Sequence, residues 1–111
     1  GSMPRTFGWF KNPKTLLSCI ESVQRSAAVS VLMRQQDLEV LVMGPLTRFV
    51  APYPFLDVQH HIYRLGLNRS WAKKYADILE KGGLVVCLES PEHAFTDELS
   101  RYHAQDLQLV P

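Results

Sequence analysis

The segment NRSWAKKYADILEKGGLVVCLE, residues 68–89, constrains the fold more than any other part of the chain. Asn68 is a favourable N-cap, and apolar residues then recur at steps of three and four, as on a helix with one buried face. Gly82 supplies a left-handed stop, and the apolar run after Gly83 is typical of a buried strand. The segment therefore predicts a helix that turns directly back into a sheet.

Further elements are predicted on both sides of this unit. Asn12 and Pro13 are suited to cap and begin a first helix, with Leu16 and Cys19 on its apolar face. Two apolar runs separated by the polar turn RQQD, residues 34–37, predict an antiparallel hairpin. The predicted order is strand 6–10, helix 13–27, strand 29–33, strand 38–43, short helix 54–65, helix 69–81, strand 84–89, helix 91–102 and strand 106–110.

This order predicts an α+β fold. Its central β-α-β-β-α-β pattern is that of a ferredoxin-like sandwich, followed by an additional C-terminal helix and short strand, which we expect at an edge of the sheet. We expect an antiparallel or mixed sheet with the helices packed on one face. Ser90 and Pro91 are expected to cap and begin the last helix, which buries Phe95, Leu99 and Tyr102. A small flavodoxin-like sheet is the alternative, and the tight turn at 34–37 argues against it.

Composition adds limits on the class of protein. The 111 residues, 46% of them hydrophobic, predict a single α+β domain over 3–111, after a cloning scar of Gly1 and Ser2. A formal net charge of +1 argues against a nucleic-acid partner. No apolar run approaches the roughly 20 residues of a transmembrane helix, so we expect a cytoplasmic protein. Cys19 and Cys87 are expected to be buried free thiols, and a disulfide between them is the alternative.

The segment PYPFLDVQHHIYRLG, residues 52–66, looks most like a binding site. It follows an apolar, proline-containing connector, residues 45–54, which either packs on its own domain or forms an interface. In a helix over 54–65, His61 borders the buried face and His60 lies about 100° further round, toward solvent, so one metal ion cannot easily collect both rings. We expect His61 to be structural, paired with Asp57 or a backbone carbonyl, and we expect no metal and no cofactor.

No catalytic set is visible in the sequence. The serines lack the G-x-S-x-G setting of an activated hydroxyl, and Cys87 lies in an apolar strand, where desolvation raises a thiol's pKa. The glycines of EKGG, residues 80–83, follow a helix, whereas those of a phosphate loop precede one. A basic cluster near the second long helix is either a solvated face or a site for an anionic partner; it comprises Arg64, Arg69, Lys73 and Lys74.

The stretch YRLGLNRSWAKKYADILEKGGLVVCLE resembles the bacterial general-stress-protein 17M and heat-induced-stress-protein family. The matching positions are Leu65, Gly66, Leu67, Ala72, Tyr75, Gly82, Gly83 and the apolar strand 84–88, followed near the C-terminus by His103, Ala104, Asp106 and Leu107. The resemblance implies the fold and a stress-related role, and it names no catalytic residue. The family's Gly- and Ala-rich insert is replaced here by residues 45–63, so its membrane association is not implied.

Two functional hypotheses follow. The first is a non-catalytic regulatory or protein-interaction module that acts as a homodimer. The second is a small-molecule, metal or haem sensor that uses the loop and short helix 45–65. The residues expected to contact the partner or ligand are Phe49, Tyr53, Phe55, His60, His61 and Arg64. An enzyme would require a catalytic site of polar residues that are far apart in the sequence and are brought together by the fold.

Overall fold

The computed structural model describes residues 3–35, 39–43, 51–91 and 94–111, with the backbone alone for 35, 39–43 and 51–57. These residues form six strands and four helices. Their order is β1 (Arg5–Phe10), α1 (Pro13–Val23), β2 (Ala28–Gln35), β3 (Glu39–Met43), β4 (Ala51–Pro54), α2 (Phe55–Arg64), α3 (Arg69–Glu80), β5 (Leu84–Glu89), α4 (Thr96–Arg101) and β6 (Gln105–Val110).

The strands form one sheet in the order β4-β3-β2-β5-β1-β6, and every neighbouring pair is antiparallel. The fold is therefore α+β, and the flavodoxin-like alternative is wrong because that fold needs a mostly parallel sheet. The ferredoxin-like arrangement is not confirmed. The last strand of the predicted β-α-β-β-α-β pattern, β5, lies between β1 and β2, which is an unusual order.

Helices cover both faces of the sheet, so the prediction that they pack on one face is wrong. Helices α2 and α3 lie on one face, over a cluster that includes Phe7, Leu32, Val58, Ile62, Tyr75, Leu79, Val85 and Cys87. Helices α1 and α4 lie on the other face, over a cluster that includes Phe10, Leu16, Cys19, Val31, Val86, Leu88, Phe95 and Leu99. Successive residues of β5 alternate between the clusters, and a strand that is apolar on both faces must be covered on both.

The predicted helix starts of α1 and α3 are confirmed. The Asn12 side chain accepts a hydrogen bond from the amide of Lys14 at 2.8 Å, and that of Asn68 accepts one from Trp71 at 2.8 Å. Each carboxamide thus satisfies an amide that has no partner within its own helix. The antiparallel pairing of β2 with β3, as predicted for the hairpin, and the position of β6 at an edge of the sheet are also confirmed.

The start predicted for the last helix is wrong. Helix α4 begins at Thr96, five residues after Pro91, and Ser90 is a buried loop residue. The chain is tied to β1 just before the helix, because the Phe95 amide donates to the Thr6 hydroxyl at 3.1 Å. Strand β4, which has four residues of which two are prolines, was not predicted. It lies at a sheet edge, where a missing N–H is tolerated.

Asp106 joins β6 to β1 and α3. Its carboxylate accepts a hydrogen bond from the Trp9 indole N–H at 2.7 Å, and its backbone carbonyl accepts one from the Tyr75 hydroxyl. The residue has a φ of +51°, at an irregularity in the β1–β6 register opposite Gly8. A Cβ on Gly8 would lie 2.9 Å from Leu107 Cδ2, so a larger residue there would have to displace that leucine side chain.

We expect replacement of His103 by glycine to stabilise the protein. His103 follows α4 with a φ of +67°, at the position of a helix stop where glycine is usual, and its Cβ makes that conformation costly. His103→Gly should raise the free energy of unfolding by about 0.5–1 kcal/mol, which thermal denaturation would detect as a rise of a few degrees.

Gly82→Ala is the matched opposite. Gly82 ends α3 with a φ of +93°, and nothing lies within 4 Å of an added Cβ, so the substitution tests backbone conformation alone. We expect a loss of about 1 kcal/mol. A His103→Gly variant that melts lower than the parent would contradict this account.

Candidate functional site

The two histidines point in different directions from helix α2. Val58 and Ile62 on its inner face are fully buried, whereas His60 is exposed and His61 is half-buried. The prediction that His60 points toward solvent while His61 borders the buried face is confirmed, because neighbouring positions lie about 100° apart around a helix. The two imidazoles are therefore not on one face of α2.

His61 lies in an environment that favours its neutral form. Burial lowers the pKa of its imidazole from 6.5, and the nearby charges of Arg64 and His60 lower it further. The ring is thus uncharged at neutral pH. The side chain of Asp57, its predicted partner, lies outside the described residues, so that pairing stays a prediction.

An aromatic and cationic cluster occupies the exposed side of the α2–α3 corner. The rings of His60 and Tyr63 are stacked with centroids 6.4 Å apart, and the guanidinium of Arg69 lies 4.8 Å from the centre of the Tyr63 ring. Together with Gln59 these residues line a hollow of about 200 Å³. We call these four residues, Gln59, His60, Tyr63 and Arg69, the α2–α3 patch.

The corner that presents this patch is held against the sheet. Arg5 forms a salt bridge with Glu89 at 2.6 Å and donates a second hydrogen bond to the Leu65 carbonyl at 2.7 Å, at the end of α2. Gly66 then turns the chain with a φ of +115°, where a Cβ would lie only 2.8 Å from Val110 Cγ1. The patch is therefore built on a fixed support, as a recognition surface requires.

Helix α3 continues this surface with a line of charge. Arg69, Lys73, Asp77 and Glu80 are all exposed, and at about 100° per residue they fall within roughly 80° of the helix circumference. We call these four residues the α3 charge stripe. Its basic half is at the N-terminus and its acidic half at the C-terminus. No residue of the stripe forms a salt bridge with a described residue.

The order of charges in this stripe is unfavourable for the isolated helix. The N-terminus of a helix carries a partial positive charge and the C-terminus a partial negative charge, so acids are preferred at the start and bases at the end. Helix α3 has no acid in its first turn and no base in its last. Arg69 and Glu80, which lie in the first and last turns, each cost about 0.3–1 kcal/mol at an exposed helix end.

The structure brings only part of the predicted site together. His60 belongs to the patch, Arg64 is exposed on the same helix, and His61 is turned inward. Phe49 lies outside the described residues, and the side chains of Tyr53 in β4 and Phe55 in α2 are not described. Gln59 and Tyr63 were missed, although their spacing of four residues on one helix, next to His60, was a usable signal.

The described part of the chain contains neither an activated thiol nor a group of side chains suited to bind a metal ion. Cys19 and Cys87 are free and buried, and they lie on opposite faces of the sheet, so they do not form a disulfide. Burial raises the pKa of Cys19 to about 11, with a further contribution from Glu98, and it raises the pKa of Cys87 to about 12. Both thiols are therefore protonated at neutral pH. Among the described residues, no three His, Cys, Asp or Glu side chains are grouped to hold a metal ion.

Comparison with protein-family models, curated proteins and solved structures finds no match for this chain. The resemblance to the general-stress-protein 17M family therefore stays a prediction. Within the described residues, no helix is long and apolar enough to cross a bilayer.

Proposed function

We propose that the protein is a non-catalytic protein-interaction module that acts as a homodimer through the α2–α3 surface. The observation that carries this proposal is the α3 charge stripe, which is basic in its first half and acidic in its second. Two such stripes are complementary when they meet in antiparallel orientation. A regulatory role stays a prediction, and so does the stress-related role that the family resemblance implies.

Symmetry supports this pairing. A two-fold dimer uses the same surface on both copies, so a residue i of one copy contacts residue j of the other and the reverse. An axis near the middle of α3 places Arg69 beside Glu80 of the other copy, and Lys73 beside Asp77 of the other copy. Each unfavourable charge at a helix end thereby gains an opposite charge, and four ion pairs form in the dimer.

The α2–α3 patch supplies the other kind of contact that an interface needs. Tyr63 is 40% exposed and is bordered by His60 and Arg69. Tyrosine and arginine are the residue types enriched where interface energy is concentrated. The hollow of about 200 Å³ is smaller than the roughly 300–1,000 Å³ of small-molecule pockets, so it suits one side chain of a partner.

Two double variants test the dimer. Arg69→Glu with Lys73→Glu makes the stripe wholly acidic, and Asp77→Lys with Glu80→Lys makes it wholly basic. Light scattering coupled to size exclusion should give twice the chain mass of 12.7 kDa for the parent and the chain mass for each variant. The expected loss is about 2 kcal/mol or more, which weakens the dimer about 30-fold.

The decisive arm is an equimolar mixture of the two variants, which should restore the dimer because opposite stripes now face each other. Both variants place favourable charges at the ends of α3, so each variant monomer should be at least as stable as the parent monomer when all are compared at concentrations below the dimer dissociation constant. Glu21→Lys, at an exposed position on α1, serves as the control and should leave the dimer intact. A monomeric parent at all concentrations, or variants that remain dimeric alone, would refute the proposal.

A further inference from the structure

A second and larger hollow lies on the other flank of α3. It has a volume of about 420 Å³ and is formed where β1 ends, α3 ends and β5 begins. The residues that line it are Trp9, Lys11, Ile78, Lys81, Gly82 and Gly83. Its volume is within the range of about 300–1,000 Å³ that is typical of small-molecule sites.

The floor of this hollow is apolar and held in place. The Trp9 indole N–H is bound to the Asp106 carboxylate at 2.7 Å, which fixes the plane of the ring. Gly83 lies against both Trp9 and Ile78, since a Cβ there would be 3.1 Å from Trp9 Cε3 and 2.4 Å from Ile78 Cγ2. A fixed indole and an aliphatic side chain, with no side chain on the glycine between them, form a surface suited to a flat apolar group.

The rim of the hollow is cationic. Lys11 and Lys81 are both exposed, and neither forms a salt bridge with a described residue. The last carbonyls of α3 accept hydrogen bonds from the amides of residues 81–83, and the Glu80 carbonyl accepts one from Arg34 at 2.5 Å, so these backbone acceptors do not occupy the two lysines. Two ammonium groups above an apolar floor therefore remain available to an anion.

We infer that this hollow binds a small molecule with a flat apolar body and one anionic group, such as an aromatic carboxylate. The apolar body contacts Trp9 and Ile78, and the anionic group lies between Lys11 and Lys81. The site is separate from the α2–α3 surface and does not depend on the proposed dimer.

The experiment compares 2-naphthoate with its neutral analogue, 2-naphthamide, on the full chain. Binding is followed by the amide NMR signals of Gly82 and Gly83, which give both the location and the dissociation constant. We expect the carboxylate to bind at least about five-fold more tightly than the amide. Lys11→Gln and Lys81→Gln should each weaken naphthoate about two- to five-fold, and the double variant about ten-fold.

Lys14→Gln is the control, because Lys14 is an exposed lysine on α1, on the opposite face of the sheet, and should leave naphthoate binding unchanged. Exposed lysine substitutions leave the core intact, so a loss of binding cannot be attributed to unfolding. The inference is overturned if naphthoate leaves Gly82 and Gly83 unshifted, if the amide binds equally well, or if the Lys11 and Lys81 variants behave like the control.

Discussion

Replacing Tyr75 with alanine is expected to lower the free energy of unfolding by about 3–5 kcal/mol. The side chain is fully buried on the inner face of α3, with its ring 6.2 Å from that of Phe7 in β1 and 5.9 Å from that of Trp71. Its hydroxyl also donates to the Asp106 carbonyl in β6. One side chain thus connects a helix with two strands of the sheet, and its removal leaves a cavity among all three.

Tyr75→Phe separates the hydroxyl from the ring. The phenylalanine variant keeps the buried ring and loses only the hydrogen bond to Asp106, so it should lose about 1–2 kcal/mol. Urea denaturation of the parent and both variants measures the difference at a common m-value. A phenylalanine variant as unstable as the alanine variant would mean that packing of the ring contributes little, contrary to this account.

The second large effect is a loss of stability at alkaline pH. Burial raises the pKa of the thiol of Cys19 from 9.0 to about 11 and that of Cys87 from 9.0 to about 12. Above pH 9 the unfolded chain releases these two protons while the folded protein retains them. The stability linked to the thiols is therefore complete below pH 9 and is lost as the pH rises through 11 and 12.

This loss is a substantial part of the stability of a small domain. Each thiol lowers the free energy of unfolding by up to about 1.4 kcal/mol per pH unit, so the two thiols together cost about 4 kcal/mol between pH 9 and 11. Domains of this size are commonly stable by only about 5–15 kcal/mol. Burial also raises the pKa of Tyr75, with further contributions from Asp106 and Cys87, which steepens the loss above pH 10.

Urea denaturation at pH 7, 9, 10 and 11 under reducing conditions would measure this dependence. Cys19→Ala and Cys87→Ala are the controls. Each variant should have a lower free energy of unfolding at pH 7, and this free energy should then fall less steeply with pH because one of the two thiols is absent. Native thiols should also react slowly with a disulfide reagent below pH 9, since both are buried. Equal stability at pH 8 and pH 11 would contradict the prediction.

The sequence was most informative where the cause of a structure is local. The N-caps Asn12 and Asn68 and the left-handed stop at Gly82 act on backbone groups within a few residues, so their roles follow from spacing alone. The divergence of His60 and His61 is equally local, because it depends only on the pitch of a helix. The same local logic failed at Ser90 and Pro91, because Ser90 is buried, the Phe95 amide is hydrogen-bonded to Thr6 in β1, and the helix begins only at Thr96.

The sequence indicated a core on both faces of the sheet, but the pattern was interpreted wrongly. An apolar run such as LVVCL in β5 indicates a strand that is covered on both faces, yet the helices were expected on one. The strand order, in contrast, could not be predicted from the sequence. Whether β5 pairs with β1 and β2 depends on contacts between residues more than fifty positions apart, and strand periodicity contains no information about neighbours.

The sequence by itself determined the α+β class, the succession of most elements and the exposed position of His60, because helix pitch, capping and strand alternation act over short stretches of chain. Only the tertiary structure decided which side chains meet: Arg69 with Tyr63 across the α2–α3 turn, and Trp9 with Ile78 in the second hollow. The physical reason is that these contacts arise when helices pack onto the two faces of the sheet, and this packing depends on the burial of all the apolar surfaces together.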